Sequence, residues 1–256
     1  MKIIIFLVFV PFCLNAQSGL NDSLKVYYKM EEASGTRTDE IGSNDLTANG
    51  VIGNATGIIL NAVNFDNTTH LSLADVDAVS TGDIDWTIAF WVYPTDDAGL
   101  DPITAKRNGG TIEWQIHKNT NETITFHGGG TGFWTVASTE TVTLSAWNLV
   151  IVWHDATNSL AYIQINNTTA VSAAAGTPGY QTTPDMFVGK DNVTGPGFLT
   201  GRVDEYGLWK RVLTESERTS LYNGGAGKTY PYTDPVSGDF SLKNLKRNKR
   251  LRRLSN

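Results

Sequence analysis

The sequence predicts an all-β protein: two antiparallel sheets packed face to face, with one short helix near the C-terminal end. Three observations carry this. Short runs rich in Val, Ile, Thr, Trp and Tyr recur along the chain, parted by Gly, Asn, Asp and Pro. That is the pattern of many strands joined by turns. Within the runs, side chains alternate between two faces, most plainly Trp86, Ile88, Phe90 and Val92 against Thr87, Ala89, Trp91 and Tyr93. Finally, 256 residues with 40% hydrophobic content suffice for one well-formed core.

The first element is a leader. Lys2 precedes the apolar run 3–10, and Ala16 offers a small residue at a cut. A run this short does not reach the roughly 20 apolar residues of a bilayer span, so residues 1–16 read as a signal peptide and the product as secreted or held at the cell surface. Cys13, the one cysteine, leaves with the leader, and no disulfide or thiol chemistry is expected. The domain then occupies residues 17–233. It opens on a strand at 24–30, turns over 39–45, and continues with strands at 46–51, 62–66 and 71–73. The run 86–93 is stopped by Pro94. A hairpin follows, 111–117 and 123–127 around the turn 118–122. A second hairpin pairs 149–153 with 160–165 around 155–158, and strands at 186–189 and 199–209 complete the set. Thr214 sits at a helix N-cap with Glu217 three residues on, a capping box. Leu221 and Tyr222 supply the apolar face, and Asn223-Gly224-Gly225 ends the helix. The expected interior is a single dry layer between the sheets, with wet outer faces.

Charge divides the chain. Residues 17–238 hold 12 Lys and Arg against 25 Asp and Glu, whereas residues 239–256 hold seven cations against Asp239 alone. Residues 234–256 read as a linker and a basic tail, helical or disordered. Leu242, Leu245, Leu251 and Leu254 recur among the cations, so an anionic surface is one expected partner of the tail. Disorder, processing, or docking on the acidic body are the other readings. No specific nucleic-acid partner is predicted.

Five blocks, in order, resemble the LamG-like family of laminin-G and concanavalin A-like lectin/glucanase jelly rolls. Tyr28 to Gly35 followed by Asp39 resembles the family's opening strand. Ala62-Val63-Asn64-Phe65-Asp66 is similar to its "A-x-x-F-D" block, with Asn67 where Gly is usual. Trp86 to Pro94 resembles "F-T-I-x-x-W-V-x-P". Trp147 to Asn166 resembles its "W-x-H-V-A-V" hairpin, with Leu149 in place of His and Asn167 in place of the turn Gly. Gly189 and the block from Gly201 to Asn223, a "G-x-V-D-E" strand running into a capped helix, close the pattern. The likeness spans about residues 24–223. It implies an antiparallel jelly-roll sandwich with a curved polar face, and a carbohydrate-binding or adhesion role, in some members with calcium.

The candidate chemistry is modest. Glycoside hydrolysis needs two carboxyls about 5–5.5 Å or about 6.5–9.5 Å apart. No strand carries such a pair, since Glu113 is alone in its strand and Asp204 and Glu205 are adjacent. An enzyme is therefore not expected. Calcium takes about 6–8 oxygens, and Asp39, Asp66 and Asp204 are its candidate ligands; the alternative is that Asp39 and Asp66 cap turns while Asp204 binds backbone amides. Glu113, Gln115, His117 and His127 share a polar face, with His127 counted opposite Glu113, and read as a ligand-contacting surface in preference to a zinc set. Trp134, after the turn Gly128 to Gly132, and Tyr180, in a Gly/Pro/Gln loop, are candidate stacking rings for sugar, with Trp91 either joining the polar side or serving as framework. The expected function is non-catalytic recognition of a polysaccharide or cell-surface glycan. The alternatives are a structural or adhesion protein making mainly protein contacts, and a divergent glycan-cleaving enzyme.

Overall fold

A computed structural model describes residues 19–96, 99–130, 133–176, 179, 184–191 and 197–233. The segments read as a leader, 1–16, and as a linker with a basic tail, 234–256, lie outside these residues. Along the chain run β1 (Leu24–Tyr28), β2 (Thr47–Asn49), β3 (Gly53–Thr56), β4 (Asn61–Asp66), β5 (His70–Leu73), β6 (Trp86–Pro94), β7 (Asp101–Asn108), β8 (Thr111–Lys118), β9 (Thr123–Gly128), β10 (Trp134–Thr141), β11 (Asn148–Asp155), β12 (Leu160–Ile165), β13 (Val171–Ala174), β14 (Met186–Val188) and β15 (Thr200–Trp209), followed by α1 (Glu215–Tyr222). One sheet has the order β13-β12-β11-β6-β15-β4-β3, with β1 also paired to β15; the other has the order β10-β9-β8-β7-β14-β5-β2. Every ladder between these strands is antiparallel. The two-sheet antiparallel sandwich with one short helix is thus the architecture the sequence predicts.

Four strands escape the sequence reading: β3, β7, β10 and β13. β7 hides because it carries Asp101, Pro102, Lys106 and Arg107. Its polar groups find partners only in the fold. Lys106 is fully buried and lies 2.7 Å from both Asp75 Oδ1 and Glu113 Oε2. Lys118, across from Asp101 on β8, pairs with it at 3.0 Å. Burial is tolerated because each charge has an opposite one beside it.

The inner layer is the expected one. Trp86, Ile88, Phe90 and Val92 of β6 belong to the same cluster as Trp114, Ile116, Ile124 and Phe126 of the facing sheet. Trp86 meets Phe126 edge-on at 5.4 Å. Each such side chain contributes about 1.5–3 kcal/mol by leaving water.

A second apolar cluster corrects the expectation of a single interior. Tyr27, Ala89, Trp91, Leu149, Ile151, Trp153 and Trp209 cover the outer face of the eight-stranded sheet and pack with Leu20, Leu213, Leu221 and Tyr232. That sheet is therefore apolar on both faces. α1 holds this cover through its capping box: the Thr214 hydroxyl accepts from Glu217 N–H while the Glu217 carboxylate accepts from Thr214 N–H. Arg211 clamps the same carboxylate at 2.6 and 2.8 Å, and Tyr222 stacks on Trp91 at 5.9 Å. Trp91 is thus framework beneath α1, on the sheet opposite to His117. With one outer face sealed by apolar residues, the polar side chains gather on the outer face of the seven-stranded sheet, buried at Gln115 and His117 and half-exposed at His127.

Candidate functional site

The polar face is built by register. Leu71, Leu73, Trp114, Ile116, Phe126, Met186 and Val188 point to the core, so their neighbours in sequence point outward. Ladder pairing aligns these in a row running Thr47, Ser72, Phe187, Ala105, Gln115, His127 and Thr135. A second row places Asn49 beside His70 and His117 between Pro102 and Thr125.

Three rings form a ladder at one side of this face. The imidazoles of His117 and His127 lie 4.7 Å apart, and Phe133 stacks on His127 at 4.9 Å. Phe133 is 62% exposed. His127 Nδ1 is fixed by the Thr135 hydroxyl at 2.7 Å. Alongside runs a polar chain: Arg107 Nη1 donates to Gln115 Oε1 at 2.5 Å, and Gln115 Nε2 donates to Asp191 Oδ2 at 2.7 Å. Arg107 Nη1 also stands 3.6 Å from Asp191. Two buried polar atoms here, His117 Nδ1 and Arg107 Nε, have no hydrogen-bond partner among the described residues.

Burial, with the second imidazole next in importance, pushes the His117 pKa down to about 4; burial and then Arg107 do the same to His127. Both rings are neutral at ordinary pH. A neutral imidazole carries one donor and one acceptor and a flat apolar surface; His117 is buried behind the ladder, so its outer end, Phe133 and His127, is the part that can meet a ring and its hydroxyls.

The sequence-derived residues separate into those this face gathers and those it does not. Gln115, His117 and His127 are brought together. His127 sits opposite Gln115, and His117 opposite Thr125. The hairpin is therefore two residues out from the expected register, and the two imidazoles touch instead of being spread along the strands. Glu113 is not part of this face. Between β7 and β8, Lys106 pairs with Trp114 and Arg107 with Ile112, which makes Glu113 the extra residue of a β-bulge. Its carboxylate is fully buried, bound to Lys106, to the Thr81 hydroxyl and N–H, and to Gly82 N–H.

Trp134 corrects the expectation of an exposed ring: it is 5% exposed, belongs to the inner cluster, and meets Phe126 edge-on at 4.8 Å. Gly128 makes room for it, since a Cβ there would fall inside the indole. The exposed ring is its neighbour, Phe133. The order apolar–apolar after a Gly run does not say which of two adjacent rings faces out; the strand's phase does. Tyr180 lies outside the described residues. Arg107 and Asp191 were also missed, Arg107 because its strand was not foreseen.

The three aspartates considered for calcium do not converge. Asp39 accepts from Tyr27 N–H, Ile41 N–H, Asn44 N–H and the Asn44 amide. Asp66 accepts from Thr68 N–H and the Thr68 and Thr69 hydroxyls. Asp204 accepts from Ile58, Ile59 and Glu205 N–H. Each carboxylate closes its own loop, and no group of three or more His, Cys, Asp or Glu among the described residues is arranged to hold a metal. This donor set does not fit one calcium ion.

The carboxyls pushed furthest lie on the other sheet. Burial raises Asp204 and Glu205 to about 8. Glu205 receives the Tyr27 hydroxyl, stands at φ 51°, and is the bulge where β15 carries one residue more than β6 between the Asp204–Trp91 and Gly207–Ala89 pairs. These acids sit within the sealed apolar face, away from the histidine ladder.

Comparisons with known proteins agree with this architecture. A family model described as the Concanavalin A-like lectin/glucanases superfamily matches residues 65–217, more than half of the chain. No curated protein matches in sequence. Among solved structures, domain 4 of AbnA, a GH43 extracellular arabinanase from Geobacillus stearothermophilus in complex with arabinotriose, superposes with a TM-score of 0.64 at 16% identity, covering 78% of this chain and 98% of that one. The binding domain of Paraclostridial Mosquitocidal Protein 1 gives 0.63 at 14% identity, covering 79% and 52%. The binding domain of Botulinum Neurotoxin DC in complex with SialylT gives 0.61 at 11% identity, covering 80% and 52%. This chain spans about half the length of the two toxin binding domains.

Proposed function

Because the chain belongs to the Concanavalin A-like lectin/glucanases superfamily, we propose that it is an exported, non-catalytic carbohydrate-recognition module that holds glycan on the outer face of its seven-stranded sheet. The observation that carries this is the ladder Phe133–His127–His117 beside the Arg107–Gln115–Asp191 chain. Sugar rings offer an apolar face and a rim of hydroxyls. An exposed phenyl takes the first, while the half-buried His127 imidazole and Arg107 guanidinium take the second, held from behind by the buried His117 and Gln115. The arabinanase domain of like fold, seen with arabinotriose, and the neurotoxin domain seen with SialylT, are consistent with this reading.

Support for a non-catalytic role comes from the acids. Hydrolysis wants two carboxyls free to face one glycosidic bond. Here Glu113 is spent on Lys106, and Asp191 holds Gln115. The leader 1–16 and the basic tail fit export and attachment to an anionic surface, with polysaccharide or cell-surface glycan as partner.

A glycan array probed with the full mature chain tests the proposal, with Phe133→Ala as its companion. Binding to a defined glycan that falls at least tenfold in the variant is expected. An array blank at high protein concentration, or binding unaffected by Phe133→Ala, overturns it.

A further inference from the structure

A second cluster sits on the same face, toward the opposite edge. Lys190 pairs with Phe198 in an isolated β-bridge. Its ammonium lies 5.4 Å from the Phe198 ring centroid and 5.8 Å from that of Phe187. His70 packs on both phenyl rings, at 5.8 Å each. Burial, then the charge of Lys190, pushes the His70 pKa down to about 4. The imidazole is therefore neutral, and Lys190 is the cation of this cluster.

The lysine stands apart from the other cations of the sheet. Lys106 has Asp75 and Glu113, Arg107 has Asp191, and Lys118 has Asp101. Among the described residues Lys190 makes no ion pair; two phenyl faces hold it instead. Asp191, its neighbour in sequence, is engaged by Gln115 and Arg107. Cation–π contact positions an ammonium but satisfies none of its three N–H donors. The half-buried group is thus held in place with no hydrogen-bond acceptor for its donors among the described residues.

Register sets the distance to the histidine ladder. Phe187, Ala105, Gln115 and His127 follow one another across four adjacent strands. Three strand spacings separate Phe187 from His127, roughly 14 Å. That is too far for one sugar ring and suits a short oligosaccharide lying across the strands.

We propose that Lys190, Phe187, Phe198 and His70 form a second subsite that takes the anionic substituent, carboxylate or sulfate, of an acidic glycan whose neighbouring rings rest on Phe133 and His127. This rests on the carbohydrate-recognition reading above and names its substrate class. The ammonium donates to the anion, the part-exposed Phe198 meets the sugar that bears it, the buried Phe187 backs the ammonium, and the neutral His70 adds one hydrogen bond without repelling Lys190.

The test is calorimetric titration of the full mature chain with two matched pairs of probes. One pair is short oligogalacturonates and their methyl esters; the other is heparin-derived oligosaccharides and their desulfated forms. The expected result is about tenfold tighter binding of the acidic member in one pair or both, as one charge-assisted hydrogen bond provides. Which pair responds distinguishes carboxylate from sulfate. Lys190→Gln should abolish the preference without weakening the neutral member, and Phe133→Ala should weaken both members alike. Equal binding of acidic and neutral members, or a Lys190→Gln variant that keeps the preference, overturns the second subsite while the recognition reading stands. No binding to either pair, with a glycan array that finds only neutral ligands insensitive to Lys190→Gln, also overturns it. A blank array overturns both.

Discussion

At the scale of single residues, neighbours in sequence take opposite duties. Phe133 and Trp134 are adjacent rings, one 62% and one 5% exposed. Trp134→Ala removes an indole from the inner cluster and should cost about 3–5 kcal/mol, read as a large drop in melting temperature. Phe133→Ala should leave the melt within about 0.5 kcal/mol and act on glycan binding instead. Equal destabilisation by the two would contradict the assigned faces. Glu113 makes the same point for a polar group. Glu113→Ala takes one of two carboxylates from the buried Lys106, leaving Asp75 beside it, and leaves Thr81 and Gly82 N–H without their acceptor. A loss of about 3–5 kcal/mol is expected, with any effect on binding following from unfolding. Trp86 to Val92 could be read correctly from alternation. Glu113 could not, because a one-residue bulge reverses the phase and nothing local marks it.

At the scale of elements, α1 was legible in full. Its capping box, its Leu221–Tyr222 side and its Asn223 terminus at φ 48° all follow from short-range chemistry. Thr214→Ala should cost about 1 kcal/mol and loosen the cover over Trp91, which tryptophan fluorescence on denaturation can follow; an unchanged unfolding midpoint would argue that Arg211 and the backbone N–H at 214 hold Glu217 without the hydroxyl. The strands β7 and β10 were not legible. β7 is a central strand whose Lys106 and Asp101 are tolerated because Glu113, Asp75 and Lys118 come from elsewhere in the sandwich. β10 follows a glycine run, which local signals read as a loop. The β8–β9 hairpin was found, but its register was set two residues away from the structure, and that shift is what brings His117 onto His127.

At the scale of the whole molecule, buried ionisable groups set how stability depends on pH. Asp204 and Glu205 are raised to about 8. Between their ordinary range and pH 8 the folded chain holds protons that the unfolded chain has released, so stability rises as pH falls through 8. His70, His117 and His127 are lowered to about 4. Below about 6.5 the unfolded chain takes up protons at these three imidazoles that the folded chain refuses, which offsets the gain from Asp204, Glu205 and Asp101, the last raised by burial to about 6. Thermal melts are expected to show stability rising from pH 8 to about pH 6.5 and levelling off below. Glu205→Gln should raise the melting temperature at pH 8 and flatten that limb. A melting temperature still climbing from pH 7 to pH 9 would refute the assignment. Below about pH 5, both imidazoles of the ladder approach protonation and repel each other across 4.7 Å, so glycan affinity should decline there even where the fold persists.

The sequence by itself determined the two-sheet antiparallel sandwich, the inward set of aromatic and branched residues, the capped helix, and the presence of Gln115, His117 and His127 on one polar face. These depend on period-2 alternation and on turn and cap chemistry, which act over a few residues. Only the tertiary structure decided that Trp91 lies under α1, that Trp134 yields its place to Phe133, that Glu113 serves Lys106, and that Arg107, Asp191 and Lys190 join His127 on one sheet face. Those outcomes turn on bulges, on the order of strands in a sheet and on the pairing of buried charges. Each is settled by which distant segments come to lie side by side, and short-range preference carries no record of that.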